Sequence, residues 1–213
     1  MRLDHVSYAT SSEHLADTVQ RIGASLGAAF VDGGCHPAFG TRNFVLPLAG
    51  NTYLEVVSAL EHPASDRMSF GKAVKARAEA GGGWLTWVVE VDDIAAVEAR
   101  VGRESLVGHR RRPDGFDLRW RQLGLLDVLE DPSLPYFIQW DVPEEEHPSR
   151  SAPANVSVES CELSGDQDKI RQFLGGPLES PLQSSAIEWV DADEPGLVSV
   201  TFRTATGDVV RID

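Results

Sequence analysis

Thiols are scarce in this chain: Cys35 and Cys161 are the only cysteines in 213 residues. Two cysteines cannot make a disulfide framework, and these lie too far apart for a zinc knuckle. A reducing, cytoplasmic setting is the expectation. Positive charge is also short. Lys and Arg number 19 against 33 Asp and Glu, so the net charge is -14 and neither nucleic acid nor an anionic membrane surface would find a basic face. No apolar run approaches the length needed to cross a bilayer. Met1 is followed almost at once by a strand-like segment, not by a basic-then-apolar leader. The Gly33-Gly34 and Gly81-Gly82-Gly83 clusters lack the strand and helix context of a phosphate-cradling loop, and no His-Glu-x-x-His or Cys-x-x-Cys occurs. Hydrolase and dithiol redox readings lose most of their support.

What is present is ordinary for a globular protein with a real core: 42% hydrophobic and 24% charged residues. Leu3 to Thr10 reads as a strand. Ser11-Ser12-Glu13-His14 follows as a capping signature, and Leu15, Val19, Ile22 and Leu26 recur at helical spacing up to Gly27. Ala28 to Asp32 is a short strand before a glycine turn at Gly33-Gly34. Two strands follow, Arg42 to Leu48 and Thr52 to Ser58. A connector helix over 65–80, narrow in its apolar face and expected on the surface, ends at the triple glycine. Then the order recurs: a strand from Trp84 to Val91, a helix capped by Asp92-Asp93, a basic turn (GHRRRPDG), and strands in FDLRWRQLGL and PYFIQWDV. His5 to Trp87 is an offset of 82 and Glu55 to Gln139 one of 84, which supports an internal repeat. After an acidic linker, residues 155–213 read as a third, shorter strand-helix-three-strand unit with a structural role.

Glu55 stands out, because it sits between Leu54 and Val56 in an otherwise apolar strand. Desolvating an unpaired carboxylate costs several kcal/mol, so a partner is required. An arginine (Arg42, Arg119 or Arg121), a metal or a proton could serve. His5 shares a small, mixed face with Leu3, Ser7 and Ala9, which suits either a cavity wall or a core-edge histidine bonded to backbone.

The segments LDHVSYAT, GGCHPAFGTRNFVLPL, GNTYLEVV, RRPDGFDLRWR and PYFIQWD resemble the glyoxalase-like domain proteins of bacteria, within the vicinal oxygen chelate superfamily. That resemblance implies an α+β fold in which tandem βαβββ units, here 1–62 and 84–143, curl one mixed sheet around a cavity. It implies a small-molecule partner. It also implies ligand positions on the first and fourth strands of each unit: His5, Glu55, Trp87 and Gln139. Imidazole and carboxylate suit a divalent ion, so His5, Glu55 and Gln139 are the expected metal ligands, with Trp87 a departure that cannot coordinate. Glu55 and His36 are the candidate proton carriers, His36 being read on a loop at the cavity mouth or as a turn histidine. Arg119, Trp87, Trp140 and Gln139 are the candidate substrate contacts, with Arg119 placed to clamp a carboxylate. The run His109 to Arg112 reads as a solvated turn able to steer an anion. A metal-free binding module of the bleomycin-resistance type is the alternative, and the third unit could form a homodimer interface.

Overall fold

Sequence periodicity sets the elements of this computed structural model, which describes residues 1–177 and 185–213. The first unit runs β1 (Arg2–Ala9), α1 (Leu15–Leu26), β2 (Val31–His36), β3 (Thr41–Leu48) and β4 (Thr52–Ala59). Two helices, α2 (Pro63–Arg67) and α3 (Ser69–Glu79), lead to the second unit. It comprises β5 (Gly83–Glu90), α4 (Ile94–Val101), β6 (Leu106–Arg111), β7 (Asp117–Leu123), α5 (Leu125–Glu130) and β8 (Tyr136–Trp140). The C-terminal unit has β9 (Ser157–Ser164), α6 (Gln167–Leu174), β10 (Ala186–Trp189), β11 (Gly196–Arg203) and β12 (Val209–Ile212). Residues 178–184 of that unit lie outside the described residues. No described helix is long and apolar enough to cross a membrane.

Local chemistry accounts for the helix ends. In α1, Leu15, Thr18, Ile22 and Leu26 form one buried stripe, and Gly27 ends the helix in the left-handed conformation at φ 62°. Asp93 accepts from Ala95 N at 3.0 Å and so caps α4, while Asp166 accepts from Asp168 N and Lys169 N to cap α6. The connector differs from expectation twice. Met68 is extended and splits it into α2 and α3. Phe70, Ala73 and Val74 of α3 are then buried in the cluster that fills the barrel interior, so this helix lies over the barrel instead of on a free surface.

The α+β expectation stands. Eight strands close in the order β1-β4-β3-β2-β6-β7-β8-β5. In the first unit β1 runs parallel to β4, with His5 opposite Tyr53 and Ser7 opposite Glu55. In the second, β5 runs parallel to β8, with Val88 opposite Tyr136 and Glu90 opposite Ile138. Both ladders therefore superimpose at an offset of 83, one residue from each offset read off the sequence. A one-residue slip exchanges the two faces of a strand. The second-unit counterparts of His5 and Glu55 are thus Val88 and Ile138, not Trp87 and Gln139.

The two halves join along β1–β5 over a long antiparallel ladder and along β2–β6 through the single pair Cys35–Arg111. The Gly33-Gly34 pair lies in β2, not in a turn, and serves that narrow seam. Gly34 has φ 94°, and a Cβ there would meet Arg111 O at 2.0 Å. We expect Gly34→Ala to lower stability by about 2–5 kcal/mol, combining left-handed strain with a backbone clash. Chemical denaturation reads this directly, and a loss under 1 kcal/mol would refute the seam's dependence on glycine. The first half of the stretch expected as a basic turn, Gly108 to Arg111, lies in β6, the strand that the second unit otherwise lacked, and the turn follows over residues 112–115.

The C-terminal unit keeps the strand-helix-three-strand order but not the barrel units' strand order. Its sheet runs β10-β9-β11-β12, with β9 between a parallel and an antiparallel neighbour. Val158, Val200 and Phe202 share one apolar cluster with Val6, Trp87 and Val89 on the outside of the barrel. The indole Nε1 of Trp84 donates to Ile212 O at 2.9 Å, tying the chain end to β5.

Candidate active site inside the barrel

Inward-facing side chains of seven strands, with Phe39 after β2 and Phe70 of α3, line a cavity with about 380 Å³ of empty space, its mouth included, of which about 20 Å³ is open to the centre of a water molecule. All of its lining residues except Trp140 are buried. The site therefore suits a compact molecule.

Alternation along β1 would place Asp4 and His5 on opposite faces. A bulge between Leu3 and His5, against β5, breaks that alternation and re-aims the two side chains toward each other. Asp4 is wholly buried and accepts three hydrogen bonds: from His5 Nδ1 at 2.6 Å, His147 Nε2 at 2.9 Å and Trp140 Nε1 at 3.0 Å. Burial favours its neutral form, but the bonds from His147 and His5 outweigh burial and hold the carboxyl well below the usual range. With its proton on Nδ1, His5 presents Nε2 to the cavity. There it accepts from the Tyr136 hydroxyl at 3.2 Å, and Tyr53 stacks on its ring at 4.4 Å.

Glu55 faces the same space, its Oε2 3.9 Å from His5 Nε2. None of the three arginines considered from sequence reaches it: Arg42 pairs with Asp32, Arg119 with Asp117 and Arg121 with Glu98. Its partners are Ser7 Oγ at 2.5 Å and Asn43 Nδ2 at 2.7 Å. Burial pushes Glu55 up, yet the His5 imidazole and these two bonds bring it below the ordinary carboxylate range, so it is ionised at neutral pH. The oxygen of the Asn43 amide accepts from Arg110 Nη1 at 2.8 Å, which makes Asn43 a neutral spacer between a carboxylate and a guanidinium.

His36 is the last residue of β2, not a loop residue. It is buried, bonded through Nδ1 to Thr41 Oγ1 at 2.8 Å and ringed by Phe39, Phe70 and Trp120. Burial drives its pKa down to about 3, so the imidazole is neutral at physiological pH.

The structure brings His5, His36, Glu55 and Trp140 into one cavity and leaves three predicted residues outside it. Trp87 packs in the outer core and donates to Ser133 O at 3.0 Å. Gln139 accepts from Ile94 N at 2.9 Å at the start of α4. Arg119 is 66% exposed, because Leu118, Trp120 and Gln122 take the inward positions of β7. Sequence reasoning missed Asp4, Asn43, Arg110, Gln122 and Tyr136. The letters Gly23-Ala24-Ser25-Leu26-Gly27 match a nucleophile elbow, but Ser25 lies within α1 and its hydroxyl donates to Arg21 O.

A divalent ion at His5 and Glu55 finds a poor donor set. Both groups are already hydrogen-bonded, the counterpart positions are Val88 and Ile138, and the Arg110 cation shares the cavity. Among the described residues, the three-donor grouping that could hold a metal is Asp4, Glu90 and His147, whose ligand atoms lie within 4.8 Å of one another. Glu90 and His147 line a separate outer cleft, and Trp140 lines both that cleft and the cavity.

A hypothetical protein of known structure from Staphylococcus aureus shares the whole fold, with TM-score 0.74 and 14% identity over 100% of this chain and 98% of that one. A methylmalonyl-CoA epimerase from Streptomyces coelicolor gives TM-score 0.46 and 20% identity over 67% of this chain and 99% of that one. Its Mycobacterium tuberculosis counterpart gives 0.45 and 16%, over 67% and 89%. The first of these likenesses shows the fold alone. No curated protein matches the chain. The glyoxalase-like domain family matches residues 3–174, which include both barrel units and every cavity residue. By that match and by its closed tandem-unit barrel, the chain belongs to the glyoxalase-like domain family of the vicinal oxygen chelate superfamily.

Proposed function

We propose that the barrel binds a small oxygen-bearing molecule and moves a proton on it, with Glu55 as the proton acceptor. The observation that carries this reading is Glu55 itself: a buried carboxylate, ionised, with no arginine or lysine paired with it among the described residues and a cavity in front of it. Such a group is costly to bury and useful as a base. A proton on a carbon beside a carbonyl would pass to Glu55 Oε2, and the released electron pair would move onto the carbonyl oxygen. Burial raises the Tyr136 phenol well above its usual range, so it stays protonated and can donate to that oxygen. His5, oriented by Asp4, stands next to Glu55 to exchange the proton onward.

The test is solvent deuterium exchange. Small carbonyl compounds incubated with the protein in D₂O should lose their α-proton signal, and Glu55→Gln should slow this by about 10²–10⁴-fold, the usual contribution of a positioned base. Exchange that proceeds unchanged in Glu55→Gln would refute the assignment. A binding module without chemistry is the second reading, favoured by the enclosed wall and by the incomplete donor set for a metal. In that case ligands bind and no exchange occurs.

A further inference from the structure

Arg110 is the one buried arginine of the described residues, at 4% exposure. Ten of the more exposed arginines are paired with carboxylates, yet none of the described carboxylates pairs with Arg110. Its Nη1 donates to the neutral Asn43 amide, and its Nε is buried with no partner among the described residues. A buried cation without a counter-ion is costly, and a chain with a surplus of acidic residues had the means to neutralise it. On the same cavity wall, from the neighbouring strand β7, Gln122 is held by one end only. Its Oε1 accepts from Trp120 Nε1 at 2.6 Å while its Nε2 is buried and unpartnered. The surroundings are shaped to keep this arrangement. A Cβ at Gly33 would lie 2.4 Å from Arg110 Nη1, and one at Gly108 would lie 2.4 Å from the Trp120 ring.

We infer that Arg110, with Gln122, binds a carboxylate carried by the small molecule that enters the barrel. Asn43 keeps Arg110 from spending its charge on Glu55, so that one wall offers donors to an anion and the other an acceptor to a proton. The guanidinium fork matches a planar carboxylate, and the space available suits an acid of a few carbon atoms. This inference rests on the cavity being the binding site of the proposed function, but not on the proton step.

Ligand-observed NMR with acetate, pyruvate and lactate, each against its neutral amide, tests it on the full chain. Expected is binding of at least one of these acids, with its amide at least about tenfold weaker and with Arg110→Met costing about tenfold or more. Without ligand, the thermal midpoint of Arg110→Met should stay level or rise, since an unpaired buried charge is gone. Should Arg110→Met fail to fold, Arg110→Lys keeps the charge, loses the fork and should also bind more weakly. Absence of binding by all three acids, equal binding of acid and amide, or undiminished binding in the Arg110 variants would overturn the assignment. Binding without deuterium exchange would leave it standing and refute the proton-transfer reading instead. Exchange on neutral carbonyl compounds with no acid bound would do the reverse.

Discussion

Asp4→Ala is expected to destabilise the protein by about 3–5 kcal/mol, the cost of breaking a buried ionic group by removing one partner. The carboxylate accepts from two buried imidazoles and a half-buried indole, and each would lose its partner in a place water reaches poorly. For a chain of this length the loss corresponds to a fall in thermal midpoint of roughly 6–20 °C, at 2–4 °C per kcal/mol. The effect reaches beyond β1. Asp4 ties the strand to Trp140 at the end of β8 and to His147 beyond it, so the variant should also lose the orientation of His5 and the fit of Trp140 against the cavity. Differential scanning calorimetry on Asp4→Ala and on His147→Ala separates the contributions. A shift below 3 °C for Asp4→Ala would show that the network is not structural.

The second large effect is acid lability from His36. Its pKa is about 3 in the folded protein, where burial excludes the charged form, against 6.5 for the free side chain. Between those values the unfolded chain binds a proton that the native state refuses, so stability rises with pH and falls on acidification from about pH 6.5 toward pH 3. The slope from this group alone is about 1.4 kcal/mol per pH unit. Asp4 acts in the same direction but lower: its carboxyl is depressed, so its contribution is complete above the ordinary carboxylate range and is lost only as pH falls below about 4. Urea unfolding of the wild type and of His36→Gln at pH 7, 6, 5 and 4 isolates the imidazole. The glutamine variant should show a slope shallower by about that amount through pH 5 to 6. Parallel lines would mean that His36 is not the group responsible.

Much of this was legible in the residues. Period-2 alternation placed His5 and Ser7 on one face of β1 and Tyr53 and Glu55 on one face of β4, and all four meet across the parallel ladder. The strand-helix-three-strand repeat was also readable, and it calls for one more strand than the local pattern of the second unit displays. The second unit was one strand short, and the missing strand was the basic stretch containing Arg110. Consecutive cations look like a solvated turn because charge normally avoids interiors. Here Gly108 and Arg110 alternate with exposed or half-exposed neighbours, the signature of a strand with one face inward.

By itself the sequence determined the fold class and the recurring strand-helix order and singled out Glu55 and His5, since each follows from local spacing and from the cost of burying charge. The tertiary structure alone decided register and partnership. Asp4 meets His5 because a bulge against β5 cancels the alternation there. Trp87 and Gln139 face outward because the second ladder is set one residue away from the apparent sequence match, and strand faces exchange with each such step. Arg110 reaches Asn43 because the two halves close along the single β2–β6 pair, a contact between residues 67 apart that no local pattern encodes.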